Sequence, residues 1–427
     1  MVQPQVDFRE ALLTWFKVGC LGFGGPAGQI ALMHRILVDE KKWVEEQRYL
    51  HALNFCMLLP GPEAQKLATY VGWLLHGVRG GLAAGILFVL PGALVMLAVS
   101  LLYVLGKGVP VIDGALFGIK AAVLVIVVEA LIRIGRRGLK TRLLMGIAAG
   151  AFIGIFFLDL PFPLIVALAG VIGFFLSPSQ AVAAVEKQPD RWRQFATATI
   201  VGLVLWWAPV ALAVMLLGTG HVFADIGIFF SKLAVVSFGG AYALMAYMAQ
   251  QAVENYGWMS AAEMVDGLGL AETLPGPLIK VTQFVGFLGA YRAPEPFTPV
   301  MSAVLGSALT TWVTFVPPML LIFAGAPFVE QLRSNQRLSG ALNAVTAAVV
   351  GVILNLTIWF VLHVLFAHVT EVRAGPLRWY AFDVFSVDLK VAALALLAAL
   401  LAFRFHRGLI QLVTIMAALG IAVRLLA

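Results

Sequence analysis

Charged residues are scarce in this sequence: only 12% of the 427 residues are Asp, Glu, Lys or Arg, whereas soluble domains carry about 25%. This scarcity, together with a hydrophobic content of 61%, excludes an ordinary soluble domain and indicates an integral membrane protein. Cysteine is also rare: Cys20 and Cys56 are the only two, and both lie in apolar stretches, so we expect neither a disulfide nor a cysteine metal site. The seven histidines are scattered, and no spacing predicts a bound metal.

Motifs for nucleotide hydrolysis and for enzymatic catalysis are missing as well. The sequence has no phosphate-binding glycine loop, no nucleophile elbow and no metalloprotease motif. Their absence argues against an ATP-driven pump and against an enzyme, and it predicts no cofactor. The formal net charge of +7 does not indicate a nucleic-acid-binding protein, because the basic residues fall between apolar stretches, as membrane topology predicts.

What the sequence does contain is a second copy of its own pattern. Phe23-Gly24-Gly25, Trp43 and Pro60-Gly61-Pro62 recur 215 positions later as Phe238-Gly239-Gly240, Trp258 and Pro275-Gly276-Pro277. Duplicated halves with Gly/Pro interruptions at corresponding points are typical of secondary transporters that bind substrate between the halves. We therefore predict a first repeat over 1–177, a connector with an unpaired transmembrane helix over 178–222, and a second repeat over 223–427.

The two repeats and the connector carry nine apolar segments that we expect to cross the membrane as helices. These segments are 80–105, 110–132, 143–158, 161–177, 195–217, 299–325, 340–366, 388–403 and 408–426. Four further segments, 8–37, 48–78, 226–253 and 261–290, are each broken near the middle by Phe-Gly-Gly or Pro-Gly-Pro. Because proline and glycine interrupt a helix, each of these is either one kinked span or a re-entrant hairpin that enters and leaves on the same side.

The distribution of Lys and Arg favours re-entrant hairpins. With hairpins, most basic residues fall inside, and only Lys107, Arg292, Arg373, Arg378 and Arg424 lie outside. The unpaired helix 195–217 makes the number of crossings before the second repeat odd, so that repeat starts from the opposite face. The sequence therefore predicts an all-α integral membrane protein, an inverted-topology tandem repeat with about nine full membrane crossings.

The chemistry is expected where the broken helices meet. A half-helix that begins at Pro62 or Pro277 has proline at its first helical position and directs its free N–H groups and positive dipole end toward the middle of the protein. Such a helix end binds anions. Lys17 and Lys232 stand six residues before the two Phe-Gly-Gly motifs, and we expect them to approach each other across a pseudo-twofold axis.

A second pair of lysines, Lys66 and Lys280, falls in the first turns of the half-helices. The alternative for all four lysines is that they snorkel to the membrane interface. The candidate substrate-binding residues are Lys17, Gly24, Gly25, Pro60, Gly61, Pro62, Gln65, Lys66, Lys232, Gly239, Gly240, Pro275, Gly276, Pro277 and Lys280. Thr69, Thr282 and Gln283 can likewise donate hydrogen bonds to an oxyanion, or they and Gln65 serve as polar contacts between helices.

Three carboxylates are candidates for carrying a coupling proton. Glu63 and Glu272 flank the two Pro-Gly-Pro turns, and Glu129 lies within the apolar segment 110–132. Structural roles stay open for two of them: Glu63 also favours a helix N-terminus, and Glu129 can pair with Lys120 or Arg133.

The motifs resemble a known family. Phe23-Gly24-Gly25-Pro26 and the stretch from Leu59-Pro60-Gly61-Pro62-Glu63-Ala64-Gln65 to Trp73 resemble the first domain of the chromate ion transporter family, in its long two-domain type. Ser237-Phe238-Gly239-Gly240-Ala241-Tyr242 and Leu274-Pro275-Gly276-Pro277 resemble its second domain, although Ala241 replaces the proline of the first motif. Lys17 and Lys232 match positions where the family carries a basic residue.

The resemblance implies a multi-pass protein of the bacterial inner membrane, surrounded by lipid, that exports chromate by coupling to ion gradients and so confers chromate resistance. It leaves a homodimer open. Chromate and sulfate are both tetrahedral dianions, and paired lysines with helix N-termini suit either. A transporter for sulfate or another small oxyanion, or a channel of the same fold, is therefore the alternative function.

Overall fold

The structure is a computed structural model, and it describes residues 6–23, 25–177, 189–238, 241–326 and 336–426. These residues are mainly helical. The helices that precede the second repeat are α1 Phe8–Leu21, α2 Gly25–His34, α3 Glu46–Leu58, α4 Glu63–Leu105, α5 Pro110–Gly138, α6 Arg142–Phe156, α7 Phe162–Leu176 and α8 Pro189–Leu217. Those of the second repeat are α9 Val222–Val235, α10 Ala241–Gln250, α11 Ala261–Thr273, α12 Val281–Arg292, α13 Pro299–Gly325, α14 Gln336–Leu365, α15 Leu389–Ala399 and α16 Leu409–Leu425.

All nine predicted apolar segments are helical. Five helices of the described chain are long and apolar enough to cross a membrane, namely α4, α5, α8 (over Trp192–Leu217), α13 and α14. Three further apolar helices, α6, α7 and α16, are shorter. The chain is thus a multi-pass helical membrane protein, and the total of nine crossings stays a prediction.

The four segments with a predicted interruption are broken where the motifs stand. Helix α1 ends before the first Phe-Gly-Gly and α9 before the second, while α3 and α11 end before the two Pro-Gly-Pro turns. The 43 residues of α4 contain two helices that meet at a kink, because His76 and Gly77 have non-helical backbone angles. The kink lies at the end of the predicted segment 48–78, before the segment 80–105, and Gly77 has a φ of 60° that suits glycine.

The expectation that Pro62 and Pro277 occupy the first helical position is wrong. Helix α4 begins at Glu63, and the carbonyl of Pro62 accepts the first hydrogen bond, from Lys66 N at 3.0 Å. Pro277 has an extended ψ of 136° and caps the short 3-10 turn Leu278–Lys280 that leads into α12. Both prolines therefore stand at the N-cap position, immediately before the first helical residue.

Local structure recurs at the offset of 215 residues. The N–H of Phe23 bonds to Leu21 O and that of Phe238 to Val236 O, at 2.9 and 2.8 Å. Each repeat also has a π-helical turn, Arg35–Glu40 in the first and Gln251–Asn255 in the second. These turns precede Trp43 and Trp258, which are 215 residues apart. The duplication seen in the motifs is therefore also a duplication of backbone geometry.

The loop between α14 and α15 forms a β-hairpin that the sequence reading did not predict. Strands β1 Val369–Ala374 and β2 Leu377–Phe382 pair antiparallel, with Val369 opposite Phe382. Gly375, with a φ of 60°, makes the turn between them. Part of the chain outside the predicted membrane segments is thus folded rather than a simple connection.

The helices group into two compact units, and each unit draws on both repeats. The first contains 1–98, 176–241 and 274–339, and the second contains 99–175, 242–273 and 340–427. In the second unit, α5 packs closely on α16, because a Cβ added at Gly118 would lie 1.8 Å from the carbonyl oxygen of Met416. The compact units and the predicted repeats, 1–177 and 223–427, divide the chain differently.

Candidate functional site

The two Pro-Gly-Pro turns lie in the first unit, and each is hydrogen-bonded to the helix break of the other repeat. The N–H of Gly61 donates to the carbonyl of Ser237, and the N–H of Gly276 donates to the carbonyl of Gly22, each over 2.9 Å. Both donor and acceptor positions are related by the 215-residue offset. The structure thus brings all four interruptions together in two symmetric junctions.

One junction has an additional clamp. The amide Nε2 of Gln29, a buried side chain on α2, donates to Gly22 O at 3.1 Å and to Gly276 O at 2.6 Å. The corresponding residue of the second repeat is Leu244, which has no polar group to offer. The two junctions are therefore not chemically equivalent. Sequence reasoning missed Gln29, whose signal is a single amide in the apolar stretch of α2.

Each turn also packs against a proline-containing helix of the other repeat. Gly61 has a φ of 107°, and a Cβ there would lie 2.5 Å from Cγ of Pro318 on α13. Gly276 has a φ of 94°, and a Cβ there would lie 3.2 Å from Cα of Gly92 on α4. Both positions need glycine for two reasons: the backbone has a positive φ, and a neighbouring helix lies too close for a side chain.

Lys66 and Lys280 are both 1% exposed and reach back to their own turns. The ammonium of Lys66 donates to the carbonyl of Leu59, and that of Lys280 donates to Leu274 O at 3.0 Å and Gly276 O at 3.4 Å. Leu59 and Leu274 directly follow α3 and α11, so each ammonium faces the negative end of one half-helix. It simultaneously lies at the positive end of the next.

Lys66 feels the charge of Glu63 on the same helix but forms no ion pair with it. No carboxylate of the described residues lies within ion-pair distance of its ammonium. A lysine placed at membrane depth costs about 3 kcal/mol on insertion scales. One carbonyl acceptor compensates this cost in part, and an ammonium has three N–H donors. The environment therefore suits a bound anion.

The other lysine pair is placed differently. Lys17 on α1 and Lys232 on α9 both have exposed side chains, and neither forms an ion pair or hydrogen bond with another described residue. Their mutual approach across a pseudo-twofold axis stays a prediction. Gly25 begins α2 with a φ of 70°. Gly24, Gly239 and Gly240 lie outside the described residues.

The neutral donors near the turns are occupied by the protein itself. The amide Nε2 of Gln65 donates to Phe315 O at 3.0 Å, and that of Gln283 donates to Ala93 O and to Ser307 Oγ, each at 2.9 Å. Thr69 and Thr282 donate to carbonyls of Gln65 and Ile279. These contacts are the polar helix packing that the sequence left open as an alternative.

An apolar cavity of about 970 Å³ lies in the first unit, between α4, α8 and α13. Its wall is mostly aliphatic and aromatic, and Gln65, Gln283 and the exposed Arg193 are among its few polar or charged residues. So apolar a surface replaces little of the hydration of a dianion. The cavity suits apolar chains, whereas the buried lysines lie at the Pro-Gly-Pro turns.

The three candidate proton carriers have different surroundings. Glu63 is half-buried at the first position of α4. Glu272 is buried on α11 and accepts a hydrogen bond of 2.7 Å from the hydroxyl of Tyr242. Glu129 is about half exposed and pairs with Arg133 one turn later, as one of the structural alternatives proposed.

Apolar spanning helices and a duplicated set of broken helices with buried lysines define a multi-pass membrane protein of the transporter class. Comparison with known sequences identifies the family. The sequence profile described as chromate transporter matches residues 9–174 and 224–422, and the chain belongs to the chromate transporter family.

Three relatives illustrate the membership. The chromate transport protein of Pseudomonas aeruginosa is 33% identical over 361 residues, which cover 82% of this chain and 80% of the relative. The probable chromate transport protein of Synechococcus elongatus is 28% identical and covers 82% of this chain and 84% of its own length. The chromate transport protein of Cupriavidus metallidurans is 27% identical, with 82% of each chain covered. No solved structure matches the chain.

Proposed function

We propose that this protein is a secondary active transporter that exports chromate across the bacterial inner membrane and confers chromate resistance. Its membership of the chromate transporter family and the names of its relatives support chromate as the substrate. The absence of a nucleotide-binding motif supports transport driven by an ion gradient. The inverted repeat with re-entrant hairpins is part of this proposal, because it provides two related gates around one site.

The observation that carries the proposal is the buried lysine at each Pro-Gly-Pro turn. Lys66 and Lys280 each place an ammonium beside the N-terminus of a half-helix, and two positive charges match a dianion. The N–H groups of Glu63, Ala64 and Gln65 have no acceptor within their own helix, so they can donate to oxyanion oxygens. Lys17 and Lys232 act as exposed charges that attract the anion before it is bound.

Binding of labelled chromate to the purified protein tests the site. Lys66→Gln and Lys280→Gln retain a polar donor and remove the charge, and each should weaken chromate binding by about tenfold or more. Lys140→Gln is the matched control, since Lys140 is an exposed lysine in the loop between α5 and α6. Equal affinity in all three variants would contradict the site and leave the lysines as caps of α3 and α11.

Competition separates the two oxyanions. Sulfate has the same shape and charge as chromate, so the described donors do not favour one of them by geometry. Displacement of labelled chromate by an equal concentration of sulfate would replace the chromate proposal with a general oxyanion carrier.

A homodimer stays a prediction. The exposed apolar residues of α8 support contact with lipid.

A further inference from the structure

A buried ion pair in the second unit has a different character from the lysines at the turns. Asp266 on α11 is 4% exposed. Its Oδ2 accepts a hydrogen bond of 2.9 Å from the hydroxyl of Tyr103, in the last turns of α4. Its Oδ1 lies 3.3 Å from the ammonium of Lys120 on α5. A carboxylate at this burial has few ways to remain charged, and Lys120 supplies the principal one.

Two further charged side chains stand near this pair. Glu263, one turn before Asp266, is buried, accepts from Ser260 N at 2.9 Å and lies 3.4 Å from Lys107. Helix α16, which packs on α5 and α11, brings Arg424, whose guanidinium stands 5.9 Å from the ring centre of Phe117. Glu263 is thus paired with Lys107, and Asp266 is paired with Lys120.

Asp266 and Lys120 differ in exposure. The side chain of Lys120 is 25% exposed and that of Asp266 is 6% exposed. When Asp266 takes up a proton, the attraction between the two side chains is lost and Lys120 can turn outward, away from Asp266. Tyr103 can hydrogen-bond either form of the carboxyl, since a phenol both donates and accepts. The cluster is therefore suited to two states, one ionised and paired, the other protonated and open.

The two repeats differ at this position. The residue 215 positions before Asp266 is His51, which is exposed on α3, and the counterpart of Glu263 is Arg48. The buried acid thus occurs in the second repeat and lacks a counterpart there in the first. Among the three candidates from the sequence, Glu129 has the partner of opposite charge but is exposed, and Glu272 is buried beside a tyrosine.

We propose that Asp266, held by Lys120 and Tyr103, binds the proton whose movement drives chromate export. The inference rests on the proposed function, since it assigns the coupling ion of that transporter. In each cycle one proton from water on one side binds the Asp266 carboxylate and separates it from Lys120. After the conformational change the proton leaves to water on the other side, the pair re-forms, and chromate has moved in the opposite direction.

Two assays in proteoliposomes separate coupling from substrate binding. The first is exchange of labelled for unlabelled chromate at equal pH on both sides, and the second is chromate accumulation driven by a pH gradient. Asp266→Asn imitates the protonated carboxyl, so exchange should persist while gradient-driven accumulation falls by about tenfold or more. Asp39→Asn is the matched control, since Asp39 is an exposed aspartate on the π-helical turn Arg35–Glu40 and should retain both activities.

The outcomes distinguish the two proposals. Absence of exchange in the unmodified protein would overturn the proposed function and this inference with it. Gradient-driven accumulation that survives in Asp266→Asn, with exchange intact, would overturn only the role of Asp266.

A second variant keeps the inference falsifiable if Asp266→Asn fails to fold. Lys120→Gln removes the cation that favours the ionised carboxylate, so the pH of half-maximal transport should rise by about one unit or more. A purely structural ion pair would lower the amount of folded protein without moving this pH profile. An unchanged profile in folded Lys120→Gln would contradict the inference.

Discussion

At the scale of single residues, the site depends on glycines that other residues cannot replace. Gly61 combines a φ of 107° with contact to Pro318, and Gly276 combines a φ of 94° with contact to Gly92. A side chain at either position meets both backbone strain and a packed neighbour. The junctions between the repeats therefore tolerate little change.

Gly61→Ala should destabilise the protein, because alanine disfavours this backbone region and its Cβ would overlap Pro318. We expect a loss of about 1–3 kcal/mol, visible as a lower temperature of thermal unfolding in detergent. Gly146→Ala is the control, since Gly146 lies inside α6 and a Cβ there meets no atom within 4 Å. Alanine there should be neutral or stabilise by up to about 1 kcal/mol. Equal unfolding temperatures in the two variants would contradict the packing described.

The exposed lysines should matter for transport and not for folding. Lys17→Ala and Lys232→Ala each remove an exposed charge that has no partner among the described residues, so membrane insertion and thermal unfolding should stay unchanged. Chromate transport should be abolished if these charges bring the anion to the site. Normal transport in the double variant, measured beside Lys140→Ala, would remove both residues from the proposed site.

The motifs were sufficient to locate the turns, since Pro-Gly-Pro and Phe-Gly-Gly are local signals repeated at one offset. They did not reveal that Pro62 and Pro277 are N-caps, because this depends on which carbonyl accepts the first helical hydrogen bond. Asp266 was missed for a different reason: its partner Tyr103 lies 163 residues earlier in the chain. Local sequence carries no sign of such a contact.

At the scale of elements, the helices followed from apolar length, whereas the β-hairpin did not. Its signal was present as two short runs rich in β-formers around Ala374-Gly375-Pro376. What fixes it is tertiary: the buried guanidinium of Arg378 lies 2.8 Å from Asp159 and donates to Ile155 O at 2.7 Å. The hairpin is thus attached to the end of α6 and the loop that follows.

The carboxylate of Glu254 lies 3.8 Å from the same guanidinium of Arg378, and this contact predicts a dependence of stability on pH. Burial raises the pKa of Glu254, and Arg378 offsets this only in part while Glu371 and Asp159 add to it. A raised pKa in the folded state means that Glu254 favours folding below its unfolded pKa. This contribution is lost as the pH rises through its folded pKa.

Glu254→Gln should therefore raise the unfolding temperature at neutral pH, and the difference from the unmodified protein should shrink at acidic pH. Thermal unfolding across this range is the measurement. Glu40→Gln is a control, since Glu40 is an exposed acid at the end of the corresponding π-helical turn. A variant that is less stable than the unmodified protein at neutral pH would show that the pairing with Arg378 outweighs burial.

At the scale of the whole molecule, the duplication is visible in sequence and in backbone geometry. The proposed inversion means that the two repeats have opposite orientations in the membrane. Glu40 and Asn255 end the two π-helical turns, lie 215 residues apart and are both exposed. If the repeats have opposite orientation, these equivalent positions face opposite sides of the membrane.

Labelling of single cysteines tests the orientation. In a background with Cys20→Ser and Cys56→Ala, Glu40→Cys and Asn255→Cys should react with an impermeant maleimide from opposite sides of the membrane. Reaction of both from the same side would contradict the inverted topology, while leaving the local repeat intact.

The most direct test of the central claim is the flux of labelled chromate in proteoliposomes of the purified protein, with and without an imposed pH gradient and with excess sulfate. We predict chromate movement that depends on the gradient, and loss of this movement in excess sulfate would indicate a general oxyanion carrier. Movement independent of any gradient would indicate a channel, and the complete absence of chromate flux in folded, inserted protein would contradict the proposed function.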